Sequence, residues 1–174
     1  MRYEISPKPL FSEAEIQNRV AELAREIDAS FEYDLIAGIL TGAFVFIADL
    51  SRRLSRRVPL RFIKASSYGE RMTSGAVEIP ESDFTPFAGK KILLIDDILD
   101  TGKTLEALVQ KMKACGAAEV KTCVLLDKPS RREVPFQTDY RGFEIEDQFV
   151  VGYGMDYAEN FRTLPAVFVM NPAP

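Results

Sequence analysis

Apolar positions recur along the chain in two different periods. Ser12 followed by Glu15 forms a capping box, and Ile16, Val20, Leu23 and Ile27 repeat on one face behind it, predicting a helix over residues 12–28. The run Leu35–Leu40 reads as a buried strand, Gly42 breaks it, and Phe44, Ile47, Ala48, Ser51 and Leu54 suit a helix packed on a sheet. Residues 60–65 predict the next strand. Residues 66–88 carry Gly69, Gly75, Pro80 and Pro86 between short apolar runs, which predicts a long loop or weak hairpin of the kind that acts as a mobile lid. Residues 92–95 are too few for a helix and suit a strand covered on both faces. A turn is expected after Ile95, then a helix over 104–116 with Leu105, Leu108, Val109 and Met112 at helical spacing and Gly116 as its stop. Residues 120–126 predict another strand, and 149–151 and 167–170 are short strand candidates. Strands alternating with helices predict an α/β protein with a mostly parallel central sheet flanked by helices and right-handed crossovers.

The run from Ile92 to Thr104 carries the chemistry. It points a buried strand at Asp96 and Asp97, then at Asp100-Thr101-Gly102-Lys103-Thr104, where a helix begins. In such a unit the loop lies at the carboxyl end of the strand, where open α/β sheets bind ligands, and the helix amino terminus offers free N–H groups to an anion. Gly102 lets backbone approach a phosphate, and the threonine hydroxyls can donate to its oxygens. Adjacent acids repel each other unless a cation or hydroxyl donors lie nearby, so Mg2+ or vicinal ribose hydroxyls would satisfy Asp96 and Asp97. Asp100, three residues on, can accept a proton beside a bound sugar. A Walker A loop is excluded, because the glycine required five residues before Gly102 is Asp97. An exposed capped turn would explain a lone Asp-Thr-Gly, but not paired acids at the end of an apolar strand.

With 174 residues, 47% of them hydrophobic, the chain fits one domain, and its charge of −4 argues against a general nucleic-acid binder. The start of the chain, with Arg2 and Glu4, lacks the apolar stretch of a signal peptide, and no apolar run is long enough to span a bilayer, so a cytoplasmic protein without a membrane partner is expected. Cys115 and Cys123 lack metal or redox spacing and read as free thiols. Arg52-Arg53 and Arg56-Arg57 read as a solvated face or subunit contact. The absence of histidine removes Ser-His-Asp and Cys-His catalysis and leaves a carboxylate as the best proton acceptor.

Two apolar residues, two acids and the Thr-Gly-Lys-Thr tail resemble the phosphoribosyl pyrophosphate (PRPP) signature of type I phosphoribosyltransferases. Other ordered segments sharpen this: Leu40-Thr41-Gly42-Ala43-Phe44-Val45-Phe46, Ser66-Ser67-Tyr68-Gly69, Asp127-Lys128-Pro129, and Phe149 through Tyr157. Together they resemble the hypoxanthine-guanine phosphoribosyltransferase family from about residue 40 to 169.

That resemblance implies the type I phosphoribosyltransferase fold, with a small hood over the base built from terminal segments. It implies Mg-dependent transfer of 5-phosphoribose from PRPP to a 6-oxopurine, giving IMP or GMP and pyrophosphate. Asp96 and Asp97 would serve ribose and metal, Asp100 would accept the purine N7 proton, and Thr101, Gly102, Lys103 and Thr104 would hold the 5′-phosphate. Lys128 would donate to O6 of the base, Phe149 would stack on it, and the Val150 backbone and Asp156 would complete the pocket. Asp156 would also bind a second metal. Thr41, Gly42 and Arg162 would hold pyrophosphate, and Ser67 and Tyr68 would form the lid tip. At Thr41 the family commonly has a basic residue, so this chain offers a hydroxyl there and no charge. A non-proline cis peptide is expected between Leu40 and Thr41, and the resembling enzymes imply a homodimer or homotetramer, with the apolar helix 44–54 as a candidate interface. The competing readings are a regulator that keeps the site to sense nucleotides, and a transferase preferring xanthine. Preference among hypoxanthine, guanine and xanthine is left open by the sequence.

Overall fold

The computed structural model describes residues 3–64 and 85–172. Ser67, Tyr68 and most of the expected 66–88 loop lie outside the described residues. In chain order the elements are β1 (Tyr3–Ile5), α1 (Glu13–Ser30), β2 (Leu35–Leu40), α2 (Phe44–Arg53), β3 (Leu60–Lys64), β4 (Lys91–Leu99), α3 (Lys103–Ala114), β5 (Glu119–Asp127), β6 (Tyr140–Glu144), β7 (Val150–Val151) and β8 (Phe168–Pro172).

Strands β3-β2-β4-β5-β6 form one sheet in that order, and every neighbouring pair is parallel. Alternation along each strand divides the core. Ile36, Leu93, Ile95, Cys123 and Leu125 face α1 and α2, packing on Ile16, Val20, Phe46, Ile47 and Leu50. Ala37, Ile39, Ile92, Leu94 and Val124 face α3, packing on Leu105, Leu108 and Met112. Covering both faces is what makes the central strands read as continuous apolar runs. A second, antiparallel sheet in the order β1-β8-β7 joins the two ends of the described chain.

Capping explains where α1 starts: the Glu15 N–H donates to Ser12 Oγ at 3.3 Å, and the Ser12 N–H donates to Glu15 Oε2 at 2.8 Å. The expected turn after Ile95 is not there. Strand β4 continues to Leu99, still paired with β5 through Ile98 and Leu126, so Asp96 and Asp97 are strand residues. The reading failed because acids in a strand look like a strand end unless one edge of that strand lines a cavity. β6 and β1 had no strong signal: β6 is an edge strand whose Arg141 and Glu144 pair with each other at 2.8 Å. The basic cluster remains exposed, with the Arg52 side chain at 73%, in line with the expected solvated face or subunit contact. Arg52 Nε donates to the Ala48 carbonyl, Arg53 Nη1 to that of Asp49 and Arg57 Nη1 to that of Leu54, adding side-chain donors to the backbone around the end of α2. Cys115 and Cys123 are free thiols, as expected. No described helix is long and apolar enough to cross a membrane.

Buried Asp49 ties three elements together. Its Oδ2 accepts from Tyr153 Oη at 2.6 Å and from Gln17 Nε2 at 2.7 Å, and its Oδ1 accepts from Arg52. Burial acts to raise its pKa, but these donors outweigh it and hold the carboxyl below the usual range. Its stabilising effect is therefore complete above the unfolded carboxyl value, about 3.9, and is lost as pH falls through the lower folded value. Asp49→Asn should cost about 2–4 kcal/mol near neutral pH in urea unfolding, and the gap to wild type should narrow below about pH 4.

Candidate active site

The sheet sets the position of the site. From β2 the chain crosses to α2 on one face, and from β4 it crosses to α3 on the other, so β2 and β4 diverge at their carboxyl ends and open a crevice. A cavity of about 770 Å³ fills it, lined by residues from both exits and from the hood. On the β2 side the Leu40-Thr41 peptide is cis, as expected, and Gly42 leads into α2. On the β4 side Gly102, with φ of +87°, turns the chain into α3. That conformation favours glycine, and it starts α3 beside the cavity, with the Lys103 N–H on Thr101 Oγ1 at 3.4 Å.

Asp96 and Asp97 stand at the foot of the cavity. The Asp97 N–H donates to Asp96 Oδ1 at 3.0 Å, and the Ile98 N–H donates to Asp97 Oδ1 at 2.8 Å. Burial, and then the charge of Asp97, pushes the Asp96 carboxyl well above its usual range. Burial also raises Asp97, opposed by its hydrogen bonds and by the Arg162 charge. A cation or hydroxyl donors would relieve both. A Cβ on Gly42 would lie 1.8 Å from Asp97 Oδ2, so only glycine lets this carboxylate reach the β2 loop.

Asp100, Thr101, Gly102 and Thr104 line the same cavity. The Lys103 side chain does not: its Nζ pairs with Glu133 outside, which leaves its backbone as its contribution to the loop. Sequence reasoning missed the segment that braces this loop. Arg131 Nε donates to Asp100 Oδ1 at 3.1 Å. Arg132 Nη1 donates to the carbonyls of Leu99 and Asp100, while its Nη2 pairs with buried Asp127. Asp127 ends β5, so Arg132 locks the ends of β4 and β5 together. The only signal was a pair of arginines just beyond Lys128-Pro129. Lys128 is 6% exposed and lines the cavity, with its N–H on the Leu99 carbonyl at 2.9 Å.

The opposite wall comes from the hood. Phe149 is 53% exposed and edge-on to Tyr157 at 5.9 Å, so it is a cavity-wall residue and not part of the apolar core. Val150 is buried beside it. Asp156 Oδ2 accepts from the Glu159 N–H at 2.8 Å, and its Oδ1 pairs with Arg162 Nη2 at 2.7 Å. Arg162 therefore pairs with Asp156 rather than with Glu159, and its Nη1 also donates to the Gly154 carbonyl at 2.8 Å. Asp96, Asp97 and Asp156 all line the cavity, yet among the described residues no three acidic, cysteine or histidine groups converge as a metal cluster. The donor set fits a divalent cation that arrives with a substrate and keeps most of its water and phosphate ligands. Thr41, Gly42, Asp96, Asp97, Asp100, Thr101, Gly102, Thr104, Lys128, Phe149, Val150, Asp156 and Arg162 are thus brought to one cavity.

Residues 11–158 match the family described as Phosphoribosyl transferase domain. The chain is 43% identical over 167 residues to a hypoxanthine-guanine phosphoribosyltransferase of Aquifex aeolicus (strain VF5), covering 94% of each chain. The crystal structure of a hypoxanthine-guanine phosphoribosyltransferase from Bacillus anthracis superposes with a TM-score of 0.84 at 38% identity, over 98% of this chain and 100% of that one. A structure of Trypanosoma cruzi hypoxanthine phosphoribosyl transferase gives a TM-score of 0.88 at 36% identity, over 99% of this chain and 95% of that one.

The hood and the β2 loop meet at Gly154, whose φ is +103° and where a Cβ would lie 2.2 Å from the Gly42 carbonyl oxygen. Gly154→Ala should therefore cost about 2 kcal/mol or more in denaturant unfolding, from backbone strain and the clash together.

Proposed function

The chain belongs to the phosphoribosyltransferase family, with the type I fold, and on that premise we propose that it is a purine salvage enzyme transferring 5-phosphoribose from PRPP to N9 of hypoxanthine or guanine. The products are IMP or GMP and pyrophosphate. One observation carries this reading: the phosphate loop, the Asp96-Asp97 pair, the Arg131-held carboxylate of Asp100 and a buried lysine at Lys128 share a single cavity at the sheet's switch point.

Each residue then has a task that follows from its place. The first-turn N–H groups of α3 and the hydroxyls of Thr101 and Thr104 hold the 5′-phosphate, with Gly102 and Lys103 supplying backbone. Asp96 and Asp97 would receive the ribose hydroxyls and a hydrated Mg2+ brought with PRPP, whose chemistry there would be to offset charge on the pyrophosphate. As the bond to pyrophosphate breaks, the ribose gains oxocarbenium character, and the nearby carboxylates favour that developing positive charge. Asp100 accepts the N7 proton, a hydrogen bond that strengthens as the base attacks. Arg131 occupies one Asp100 oxygen and Arg132 fixes its carbonyl, so the other carboxylate oxygen is aimed by a braced backbone. Lys128 donates to O6; adenine would place a donor against a donor there. Phe149 stacks on the base while the Val150 backbone reads its edge. Thr41, Gly42 and Arg162 receive pyrophosphate, with Asp156 orienting Arg162. Ser67 and Tyr68 would close over the reacting bond to exclude water. Exposed Phe44, Leu60 and Phe62, on α2 and the edge strand β3, support a homo-oligomer.

A steady-state assay with PRPP, Mg2+ and each of hypoxanthine, guanine, xanthine and adenine tests the reading. Turnover with the first two and none with adenine is expected; tight PRPP binding without turnover on any base would instead support a nucleotide-sensing regulator. Asp100→Asn should lower kcat by about 10²–10⁴ with little change in PRPP affinity. Lys128→Gln should erode discrimination against adenine by roughly tenfold or more, read as a ratio of kcat/KM values.

A further inference from the structure

The cavity is lined by four carboxylates, Asp96, Asp97, Asp100 and Asp156, and by three cations, Lys64, Lys128 and Arg162. One of the cations is buried and another is already ion-paired. Lys128 is buried at the base end, and Arg162 is held by Asp156 and the Gly154 carbonyl. Lys64 is exposed, and among the described residues no carboxylate or carbonyl pairs with it.

Its place in the sheet is informative. Lys64 ends β3, and its Cα is in register with Leu40 of β2, one strand spacing or about 4.8 Å away. The next bond of β2 is the cis Leu40-Thr41 peptide, followed by Gly42. Thr41 and Gly42 bring no charge to their loop, and Asp97 Oδ2 sits so close to Gly42 that it fills the space of a Cβ. A phosphate arriving at this loop therefore meets a carboxylate first, and one of the few cations in reach is already ion-paired. An unengaged ammonium on the adjacent strand end is the group that balances the charge.

We propose that Lys64 is a cation of the pyrophosphate subsite, contacting the leaving group beside the Thr41-Gly42 loop and supplying the charge that Thr41 lacks. This rests on the reading of the cavity as a PRPP site. The interaction grows as the bond to pyrophosphate breaks and charge collects on the leaving group, so it aids departure as well as binding. A lysine on an edge strand also discourages edge-to-edge pairing, but that role is indifferent to phosphate.

Calorimetric titration of wild type and Lys64→Ala with pyrophosphate in Mg2+ tests the contact without turnover. About tenfold weaker binding is expected for the variant, with IMP affinity unchanged. In steady state, pyrophosphate product inhibition should weaken and the PRPP KM should rise by a similar factor, while the KM for hypoxanthine holds. Thr41→Lys in the Lys64→Ala background should restore most of the lost pyrophosphate affinity. Equal pyrophosphate binding by wild type and Lys64→Ala would overturn the proposal. If wild type instead bound pyrophosphate through Lys64 yet turned over no base, the subsite would stand and the transferase reading would fall.

Discussion

Strand β4 remains hydrogen-bonded to β5 through Leu99 after its ladder with β2 has ended at Ile95, and the site depends on that asymmetry. One edge of the strand is held rigid while the other is released. Asp96 and Asp97 fall in the released stretch, so two carboxylates that a loop would let drift apart are fixed on a strand and aimed at one space. Their environment keeps them reluctant to ionise together, since burial favours both neutral forms and the charge of Asp97 disfavours that of Asp96. A site in that condition gains most from a ligand that brings hydroxyl donors or a divalent cation. The same asymmetry explains Gly42, because the departing β2 backbone must pass within contact of Asp97.

Two long-range ties hold the walls of this crevice. Arg132 binds the end of β5 to the last carbonyls of β4, and so limits the freedom of Asp100. Asp49 binds α1, α2 and the turn at Tyr153, and so fixes the hood against the helix that follows the β2 loop. Burial raises the Tyr153 hydroxyl, and its bond to the Asp49 carboxylate adds to this, which keeps it a donor at any ordinary pH. Neither tie touches the cavity contents directly. Each sets the distance between opposite walls of the cavity.

The parts of the fold that were legible in sequence are those where the physics is local. The Ser12–Glu15 capping box, the spacing of Leu105, Leu108 and Met112, and the apolar run of β2 each announce themselves within one or two turns of chain. The parallel α/β architecture followed from their alternation, and the PRPP run placed the crevice. What stayed hidden depends on partners far away in sequence. Asp49 meets Tyr153 across 104 positions, and α1's Arg19 reaches the carbonyls of β6 across 122 and 123. β6 itself is stabilised by its neighbour β5 and by α1 rather than by its own mixed Tyr-Arg-Gly-Phe-Glu pattern. The extension of β4 through two acids was hidden for the opposite reason: local polarity spoke for a turn, and the sheet overrode it.

The lack of histidine gives this division of labour its logic. With no group that titrates near neutrality by default, the proposed proton acceptor is a well-aimed carboxylate, distinct from the acids beside it. The structure separates them by environment. Burial raises both Asp96 and Asp97, and the charge of Asp97 raises Asp96 further, whereas Asp100 is partly exposed with a guanidinium on one oxygen. Three aspartates within five residues can thus do different chemistry, because the strand ends between the second and the third, and the third alone answers to the 131–132 arginines.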